Sequence, residues 1–443
     1  MKTTKRIISA LLAALLILTL VACNKGDTGV NIPANQTGSD DFQKNLHQFI
    51  NKTAGLPTFI ETDTGYYMGY GSLYYIEKET MKATILCAKP DCDHTDPSIC
   101  NALIDARYLL TGGEQIYYVS NIDEPKEVQS VKFDGTQRES IQELKYNEAS
   151  SSQSSDDWGI YHRGYVYYIS DDILYRVALG GEKDLAEQIW KPENAGQAQT
   201  HGGMVDFIPN AIHYKLWADG DILYFMANVQ TTDGTYKDVL FQCDLTDMSV
   251  KQVWTTPGKD EVGEWERTGV KVSQWYVTNG YIYFYLSGGD MWRTELSSGK
   301  TEKLADTHEQ TLYGSAIFSD DYMCLLNDIP VFFYGYTEPT PGGMFRYYGD
   351  TIFVYGLDGT YIKEISLEGL YDAPVDLEID MLCCSGKDIF FLTTAMMGTS
   401  ESSGSSNGSS FTASSANKGD VNLCHANIET GEVEIICTVL KGQ

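Results

Sequence analysis

Hydrophobic and polar positions follow a repeating pattern along the chain. A turn rich in Gly, Asp or Asn is followed each time by a strand-like segment with adjacent aromatic or large apolar residues. The segments recur about every 54 residues, a period that is typical of propellers and repeat arrays. In chain order they are TDTGYYMGY (62–70), TGGEQIYYVS (111–120), HRGYVYYIS (162–170), ADGDILYFMA (218–227), TNGYIYFYLS (278–287), SDDYMCLLN (319–327) and SGKDIFFLTT (385–394).

The repeating unit contains four short strand patterns. The third unit shows them as GIYH, YVYYIS, ILYRVAL and LAEQIW, separated by turns rich in Gly, Asp and charged residues. Aromatic and β-branched residues favour strands, and Gly or Asp between two such runs favours a hairpin. The pattern therefore predicts an all-β propeller built from four-stranded antiparallel blades. We count seven blades, with six or eight as the alternatives.

Adjacent aromatic residues in these strands have a structural explanation. Neighbouring residues of a strand point to opposite faces, and a propeller blade is covered by another blade on each face. We therefore expect the aromatic pairs to pack between blades rather than to form ligand cages. The clearest pairs are Tyr167 with Tyr168, Phe284 with Tyr285, and Phe390 with Phe391.

The N-terminus matches a targeting signal rather than a part of the fold. Lys2, Lys5 and Arg6 precede an apolar run over residues 7–22, and Cys23 follows directly. This ending resembles the bacterial lipobox, in which the peptide is cut before a cysteine that then carries lipid. We predict a signal peptide over residues 1–22 and lipidation of Cys23, with an uncut membrane anchor as the alternative.

The rest of the chain divides into a tether and one large domain. Residues 23–45 are polar and predict a flexible tether, and residues 46–443 form the predicted propeller domain. Residues 398–420 (GTSESSGSSNGSSFTASSANKGD) are of low complexity, and we expect this loop to be disordered. The lipid would make the membrane a partner and would hold the propeller on the extracytoplasmic face of the cell membrane.

Net charge narrows the choice of partners. The whole chain carries a formal net charge of −29 at pH 7. Binding to nucleic acid requires basic patches that neutralise phosphates, so nucleic acid is not an expected partner. For an extracellular protein, this charge indicates solubility.

Two stretches carry a resemblance to a known family. They are YVYYISDDILYRVALGG and IYFYLSGGDMWRTELSSG, and the similarity extends over roughly residues 58–438. The chain resembles lipoproteins of a bacterial propeller family of unknown function, named for its likeness to the propeller of low-density-lipoprotein-receptor-related proteins. The Tyr-Trp-Thr-Asp signature of the receptor propellers is not found here. The resemblance implies a propeller on a Gram-positive cell surface and implies little about activity.

Long insertions concentrate at one end of the predicted ring, which we name the long-loop face. They join the second strand of a unit to its third, or one unit to the next, and both kinds of connection emerge at the same end of a propeller. Loops on a rigid scaffold commonly carry function. The insertions are Gln230–Lys237, Asp328–Tyr348, Gly398–Asp420, Cys87–Ala106, Tyr146–Asp157, Lys191–Asn210, Thr255–Lys271 and Leu367–Asp380.

The expected function is binding, because the sequence contains no P-loop, His-Glu-x-x-His or dinucleotide motif. A protein or glycan ligand would contact the long-loop face. The alternatives are an extracellular carbohydrate-active hydrolase or lyase that uses the central channel, and an assembly factor of the envelope. The residues predicted to face a ligand are Tyr161, His162, Trp217, Trp275 and Tyr276 near the channel, with Phe332, Phe333 and Tyr334 in an aromatic insertion.

One stretch carries metal-binding side chains. LCAKPDCDHTDPSIC (86–100) contains Cys87, Cys92, His94 and Cys100, and three thiols with one imidazole form a ligand set for tetrahedral zinc. A single disulfide with a spare thiol, or three unlinked thiols, would also satisfy the sequence. If metal is bound, protein atoms fill all four positions, so the zinc would be structural rather than catalytic. The three Asp residues in this stretch are either turn formers or hydrogen-bond partners of the ligands.

Overall fold

A computed structural model describes most of residues 58–440. No helix in this described part is long and apolar enough to span a membrane, and its regular elements are strands β1–β30. The gaps in the described range are residues 105, 112–114, 121–126, 145–158, 171–172, 181–184, 192–198, 202–203, 208–211, 231–235, 258–271, 287–289, 307–315, 332–345, 372–375 and 407–408.

Seven four-stranded antiparallel sheets account for all but two of these strands. The strands, grouped by blade, are β1 (Thr58–Glu61), β2 (Gly65–Tyr70), β3 (Ser72–Glu77) and β4 (Ala83–Ile85) in blade 1; β5 (Ala106–Thr111), β6 (Gln115–Ser120), β7 (Glu127–Lys132) and β8 (Glu139–Glu143) in blade 2; β9 (Gly159–His162), β10 (Tyr165–Ser170), β11 (Ile173–Ala178) and β12 (Glu187–Trp190) in blade 3; β15 (Ile212–Asp219), β16 (Ile222–Gln230), β17 (Tyr236–Asp244) and β18 (Val250–Thr255) in blade 4; β19 (Val272–Thr278), β20 (Tyr281–Leu286), β21 (Asp290–Glu295) and β22 (Thr301–Asp306) in blade 5; β23 (Ala316–Phe318), β24 (Tyr322–Val331), β25 (Arg346–Gly356) and β26 (Tyr361–Ser366) in blade 6; and β27 (Asp376–Ser385), β28 (Asp388–Ser406), β29 (Ser409–Asn427) and β30 (Val433–Leu440) in blade 7.

The seven-bladed propeller predicted from the repeat is confirmed. Each blade is a meander in which consecutive strands pair, so turns between its strands alternate between the two ends. Connections from the second to the third strand, and from one blade to the next, therefore share the long-loop face. The remaining pair, β13 (Gln199–His201) and β14 (Met204–Phe207), forms a small hairpin within the connection from blade 3 to blade 4.

Two segments predicted as loops continue the hairpins of their blades. Strands β24 and β25 remain paired as far as Val331 and Arg346. Strands β28 and β29 remain paired as far as Ser406 and Ser409, so most of the low-complexity segment 398–420 is paired here rather than irregular. The sequence predicted a disordered loop because this segment lacks the alternating hydrophobic residues that indicate a strand. A hairpin that begins in a blade can nevertheless be extended by backbone hydrogen bonds alone.

Adjacent aromatic residues pack between blades, as predicted. Tyr167 lies in a cluster with Leu216 and Phe225 of blade 4, whereas its neighbour Tyr168 lies in a cluster with Leu110 of blade 2. Phe284 and Tyr285 likewise face the two blades on either side of blade 5. The opposite orientation of strand neighbours therefore gives each blade two apolar faces.

The ring closes where blade 7 packs against blade 1. Blade 1 contains only β1–β4 and blade 7 contains only β27–β30, so no strand of one blade is part of the other. Phe390 of blade 7 contacts Phe59 and Tyr66 of blade 1, with ring centroids 5.1 and 4.7 Å apart. The Tyr66 hydroxyl also donates a hydrogen bond of 3.1 Å to Asp388. The two blades are therefore held together by an apolar interface with a polar contact at its edge, and not by a blade that combines strands from both ends of the chain.

Candidate functional site

The cysteine-rich loop lies at the junction of blades 1 and 2. It begins directly after β4, and its buried residues Cys87 and Cys100 belong to an apolar cluster that includes Tyr67 of blade 1 and Tyr118 of blade 2. Cys92 and His94 are only partly buried. The four side chains therefore sit between the packed interface and the surface.

The four candidate ligands converge on one point. Their donor atoms, three Sγ and one ring nitrogen, all lie within 4.8 Å of one another. The Nδ1 atom of His94 is 3.3 Å from Sγ of Cys100, and Sγ of Cys100 is 3.8 Å from Sγ of Cys87. Residues that are up to thirteen positions apart in the chain thus form a compact donor cluster.

These distances fit a tetrahedral metal site. Zinc bonds of about 2.3 Å to sulfur and about 2.0–2.1 Å to nitrogen place sulfurs about 3.8 Å apart, with nitrogen about 3.6 Å from sulfur. A disulfide would instead require a separation of about 2.05 Å. The thiols of Cys87, Cys92 and Cys100 are free in this structure. The cluster can therefore bind a metal ion through four protein atoms, which leaves no position for a reacting water.

The aspartates of the loop shape its turns. The carboxylate of Asp96 accepts hydrogen bonds of 2.8 and 2.7 Å from the backbone N–H and hydroxyl of Ser98. The Asp96 carbonyl accepts from the N–H of Cys100 at 2.8 Å, and Asp93 accepts from the N–H of Thr95 at 3.2 Å. Asp93 and Asp96 are therefore turn formers, one of the two roles that the sequence allowed.

His94 adopts a left-handed backbone conformation with φ of 55°. Residues other than glycine occupy this region infrequently, although His, Asn and Asp do so more often than most. The conformation turns the imidazole toward Cys100. The local backbone therefore supports the convergence of the four donors.

Blade 2 holds the base of this loop. The guanidinium of Arg138 donates to the carbonyls of Cys100 and Leu103 at 3.2 and 3.1 Å. The amide of Asn101 donates to the carbonyl of Gly135 at 2.9 Å. Sequence reasoning did not identify these contacts, because Gly135 and Arg138 belong to an ordinary turn of the next repeat and no local pattern marks them as partners.

The surroundings of the thiols change their acidity in opposite directions. Burial raises the pKa of Cys100 to about 11. A hydrogen bond with the backbone of His94 lowers the pKa of Cys92 from its ordinary value. Without metal, Cys92 is therefore the more acidic of these two thiols.

The residues predicted to line the channel lie at the inner strands of blades 3, 4 and 5. His162, Trp275 and Tyr276 are buried, and Tyr161 and Trp217 are partly buried. The ring nitrogen Nε2 of His162 lies 2.6 Å from the carbonyl of Gly220, and the hydroxyl of Tyr276 donates to Asp320 at 2.7 Å. The buried members pack between blades, and ligand contact by any of the five stays a prediction.

Four other predicted positions lie outside the described residues. They are the lipidation site Cys23 and the aromatic residues Phe332, Phe333 and Tyr334 of the long insertion in blade 6. Their proposed roles stay predictions from the sequence.

Comparison with known proteins identifies no family and finds only distant structural similarities. No family model matches the sequence, and no curated protein matches it. Similar structures include the computationally designed Ika8 protein, with 11% identity, a TM-score of 0.40, and coverage of 87% of this chain and 89% of that chain. An oligogalacturonate lyase in complex with manganese has 8% identity, a TM-score of 0.37, and coverage of 63% and 85%. TolB from Acinetobacter baumannii has 12% identity, a TM-score of 0.35, and coverage of 85% and 77%. Similarities this weak carry no argument about this chain.

Proposed function

We propose that this chain is a lipid-anchored binding protein on the extracytoplasmic face of the cell membrane. Its propeller would present the long-loop face to a protein or glycan ligand. The lipobox-like N-terminus supports the anchor, and the resemblance to propeller lipoproteins agrees with it. The observation that carries the binding role is the alternation of turns in the meander, which collects the long insertions at one end of the ring.

The anchor is tested by the variant Cys23→Ala. Cells that produce the unchanged chain should retain it in the membrane fraction with a lipid on Cys23, as seen by mass spectrometry. The variant should lose the lipid modification. Unmodified Cys23 in the mature natural protein would overturn the lipid anchor.

The binding face is tested by replacing residues 332–345 with a Gly-Ser linker of equal length. The unchanged chain and this variant are incubated with isolated cell-wall glycan and with solubilised surface proteins. The replacement should remove or weaken the interactions that the unchanged chain makes. A matched control replaces Glu79 and Thr80, two exposed residues of the short turn between β3 and β4 at the opposite end, with alanine. If every interaction survives the long-loop replacement, the long-loop face loses its best candidate segment.

The metal centre has a structural role in this proposal. Zinc bound by Cys87, Cys92, His94 and Cys100 would hold the loop between blades 1 and 2 in one conformation. The main support for this role is the cluster of donor atoms, in which Sγ of Cys100 lies 3.8 Å from Sγ of Cys87 and 3.3 Å from Nδ1 of His94. A metal engages all four side chains, whereas a disulfide would leave one thiol and the imidazole without a role.

Metal analysis and thiol counting on the purified chain test this role. We expect about one zinc ion per chain, with the three loop cysteines protected from alkylation until a chelator is added. Cys92→Ser and His94→Ala should reduce the zinc content. Cys243→Ser, at a buried thiol of blade 4 outside the cluster, should leave the content unchanged. A crosslinked peptide joining two loop cysteines in a metal-free protein would overturn the zinc site.

A further inference from the structure

A groove of about 640 Å³ separates parts of blades 4 and 5 at the end opposite the long-loop face. Its blade 4 side includes Tyr224, Gln242 and Lys251, and its blade 5 side includes the turn residues Asn279 and Ser297. Tyr224 lies close to the short turn between β15 and β16. The groove is therefore separate from both the metal cluster and the proposed binding face.

On the blade 4 side of the groove, three side chains form a row across three neighbouring strands. Tyr224 of β16 is opposite Gln242 of β17, and Gln242 is opposite Lys251 of β18. Residues directly opposite one another in antiparallel strands project from the same face of the sheet. The phenol ring, the amide and the ammonium group therefore form one continuous strip that faces blade 5.

The turn of blade 5 beside the groove has open space at its glycine, although Leu296 of the same segment packs against the apolar cluster between blades 4 and 5. In blades 2 and 6 the equivalent turn packs onto the preceding blade, since a Cβ atom on Gly135 or Gly359 would lie 2.6 Å from the carbonyl oxygen of Leu86 or Leu304. A Cβ atom on Gly299 of blade 5 would meet no atom within 4 Å. The space beside the turn glycine is therefore filled at the junctions of blades 1 and 2 and of blades 5 and 6, and it is open at the junction of blades 4 and 5.

The polar groups of the strip are available to a ligand. Among the described residues, neither the amide of Gln242 nor the ammonium group of Lys251 has a hydrogen-bond or ion-pair partner. Tyr224 is partly buried, because it packs against the apolar cluster between blades 4 and 5 while it also lines the groove. An aromatic ring beside an unpaired amide and ammonium group offers one flat apolar surface with several donors and an acceptor.

These features match a neutral sugar chain better than other ligands. A polyanion would meet a protein of net charge −29 with a single lysine in the strip. A lipid would leave the amide and ammonium groups unpaired. A sugar ring instead offers a flat C–H face for the tyrosine and hydroxyl groups for the amide and ammonium. The volume lies within the range of about 300–1,000 Å³ that small-molecule sites occupy.

We propose that this groove is a second binding site, for a neutral oligosaccharide. The ring of Tyr224 would stack on one sugar unit, while Gln242 and Lys251 would hydrogen-bond to its hydroxyl groups. The site does not depend on the long-loop face or on the metal.

The proposal is tested with the full chain and a panel of neutral oligosaccharides of glucose, xylose, mannose and N-acetylglucosamine. Saturation-transfer NMR detects binding, and titration gives the Kd. We expect at least one member of the panel to bind. Tyr224→Ala should weaken that binding about tenfold or more, and Gln242→Leu should weaken it several-fold.

Two controls accompany these variants. Tyr224→Phe keeps the ring and should retain most of the affinity, and Tyr361→Ala removes an exposed tyrosine of blade 6 outside the groove and should change nothing. If Tyr224→Ala does not fold, as judged by circular dichroism, Gln242→Leu and Lys251→Met decide the question. Failure of the whole panel to bind would overturn the site. Binding that survives the groove variants but is lost on replacement of residues 332–345 would also overturn it, and would place the sugar on the long-loop face.

Discussion

At the scale of single residues, two turn glycines in neighbouring blades form a matched pair. Gly299 and Gly359 both have positive φ, 72° and 86°, but only Gly359 approaches a neighbouring backbone, the carbonyl of Leu304. Gly299→Ala should cost about 1–2 kcal/mol of unfolding free energy through backbone conformation alone. Gly359→Ala should cost about 1–3 kcal/mol more, because its Cβ forces blades 5 and 6 apart. Equal losses in urea unfolding would show that the close approach is not maintained in solution.

Arg138 is a single residue that holds the loop containing the candidate metal ligands. Arg138→Met removes the donor from the carbonyls of Cys100 and Leu103, which should cost about 1–3 kcal/mol in chemical unfolding. Because this residue orients the loop that holds the ligands, zinc affinity measured by competition with a chelator should fall about 10–100-fold. Lys387→Met, which breaks an exposed ion pair with Glu429 in blade 7, should leave the unfolding free energy nearly unchanged, because water and salt screen such a pair. Unchanged zinc affinity in Arg138→Met would separate the loop anchor from metal binding.

At the scale of elements, the long hairpin of β28 and β29 contains two different parts. Near the blade, Phe390, Phe391 and Leu423 are buried, whereas the pairing from Thr399–Ala416 to Ser406–Ser409 joins mostly small polar residues. Replacing residues 399–416 with an Asn-Gly turn should therefore change the unfolding free energy by no more than about 0.5 kcal/mol. Thermal and urea unfolding measure this change. A loss of several kcal/mol would mean that the distal hairpin packs on the ring.

The sequence predicts correctly those features that depend on residues close together in the chain. Alternating apolar residues and turn glycines are properties of one unit, so the repeat predicted the blades, and the adjacent aromatic residues predicted which side chains pack between them. The cysteine cluster could also be predicted, because its four candidate ligands lie within one short loop. Its anchor Arg138 and the groove beside Tyr224 were not, because both arise from contacts between neighbouring units that no local pattern specifies.

At the scale of the whole molecule, the junction of blades 7 and 1 differs from the other six because, within the described part of the chain, no connecting segment runs from one of these blades to the next. Its core contains Phe390, which is fully buried against Phe59 and Tyr66. Phe390→Ala should cost about 3–5 kcal/mol through lost packing and a residual cavity. The same substitution at Phe284, fully buried between blades 4 and 5 beside Trp254, should cost a similar amount.

The two variants should differ in how the ring opens. Loss of packing at Phe284 leaves blades 4 and 5 joined by their connecting chain. Among the described residues, loss at Phe390 leaves side-chain contacts, such as that between Tyr66 and Asp388, to hold the two ends together. Hydrogen exchange in Phe390→Ala should therefore rise first in β1, β2 and β30, at denaturant concentrations below global unfolding. In Phe284→Ala, exchange should rise with global unfolding. If both variants exchange with the same pattern, the closing junction is no weaker than the others and the ring unfolds as one cooperative unit.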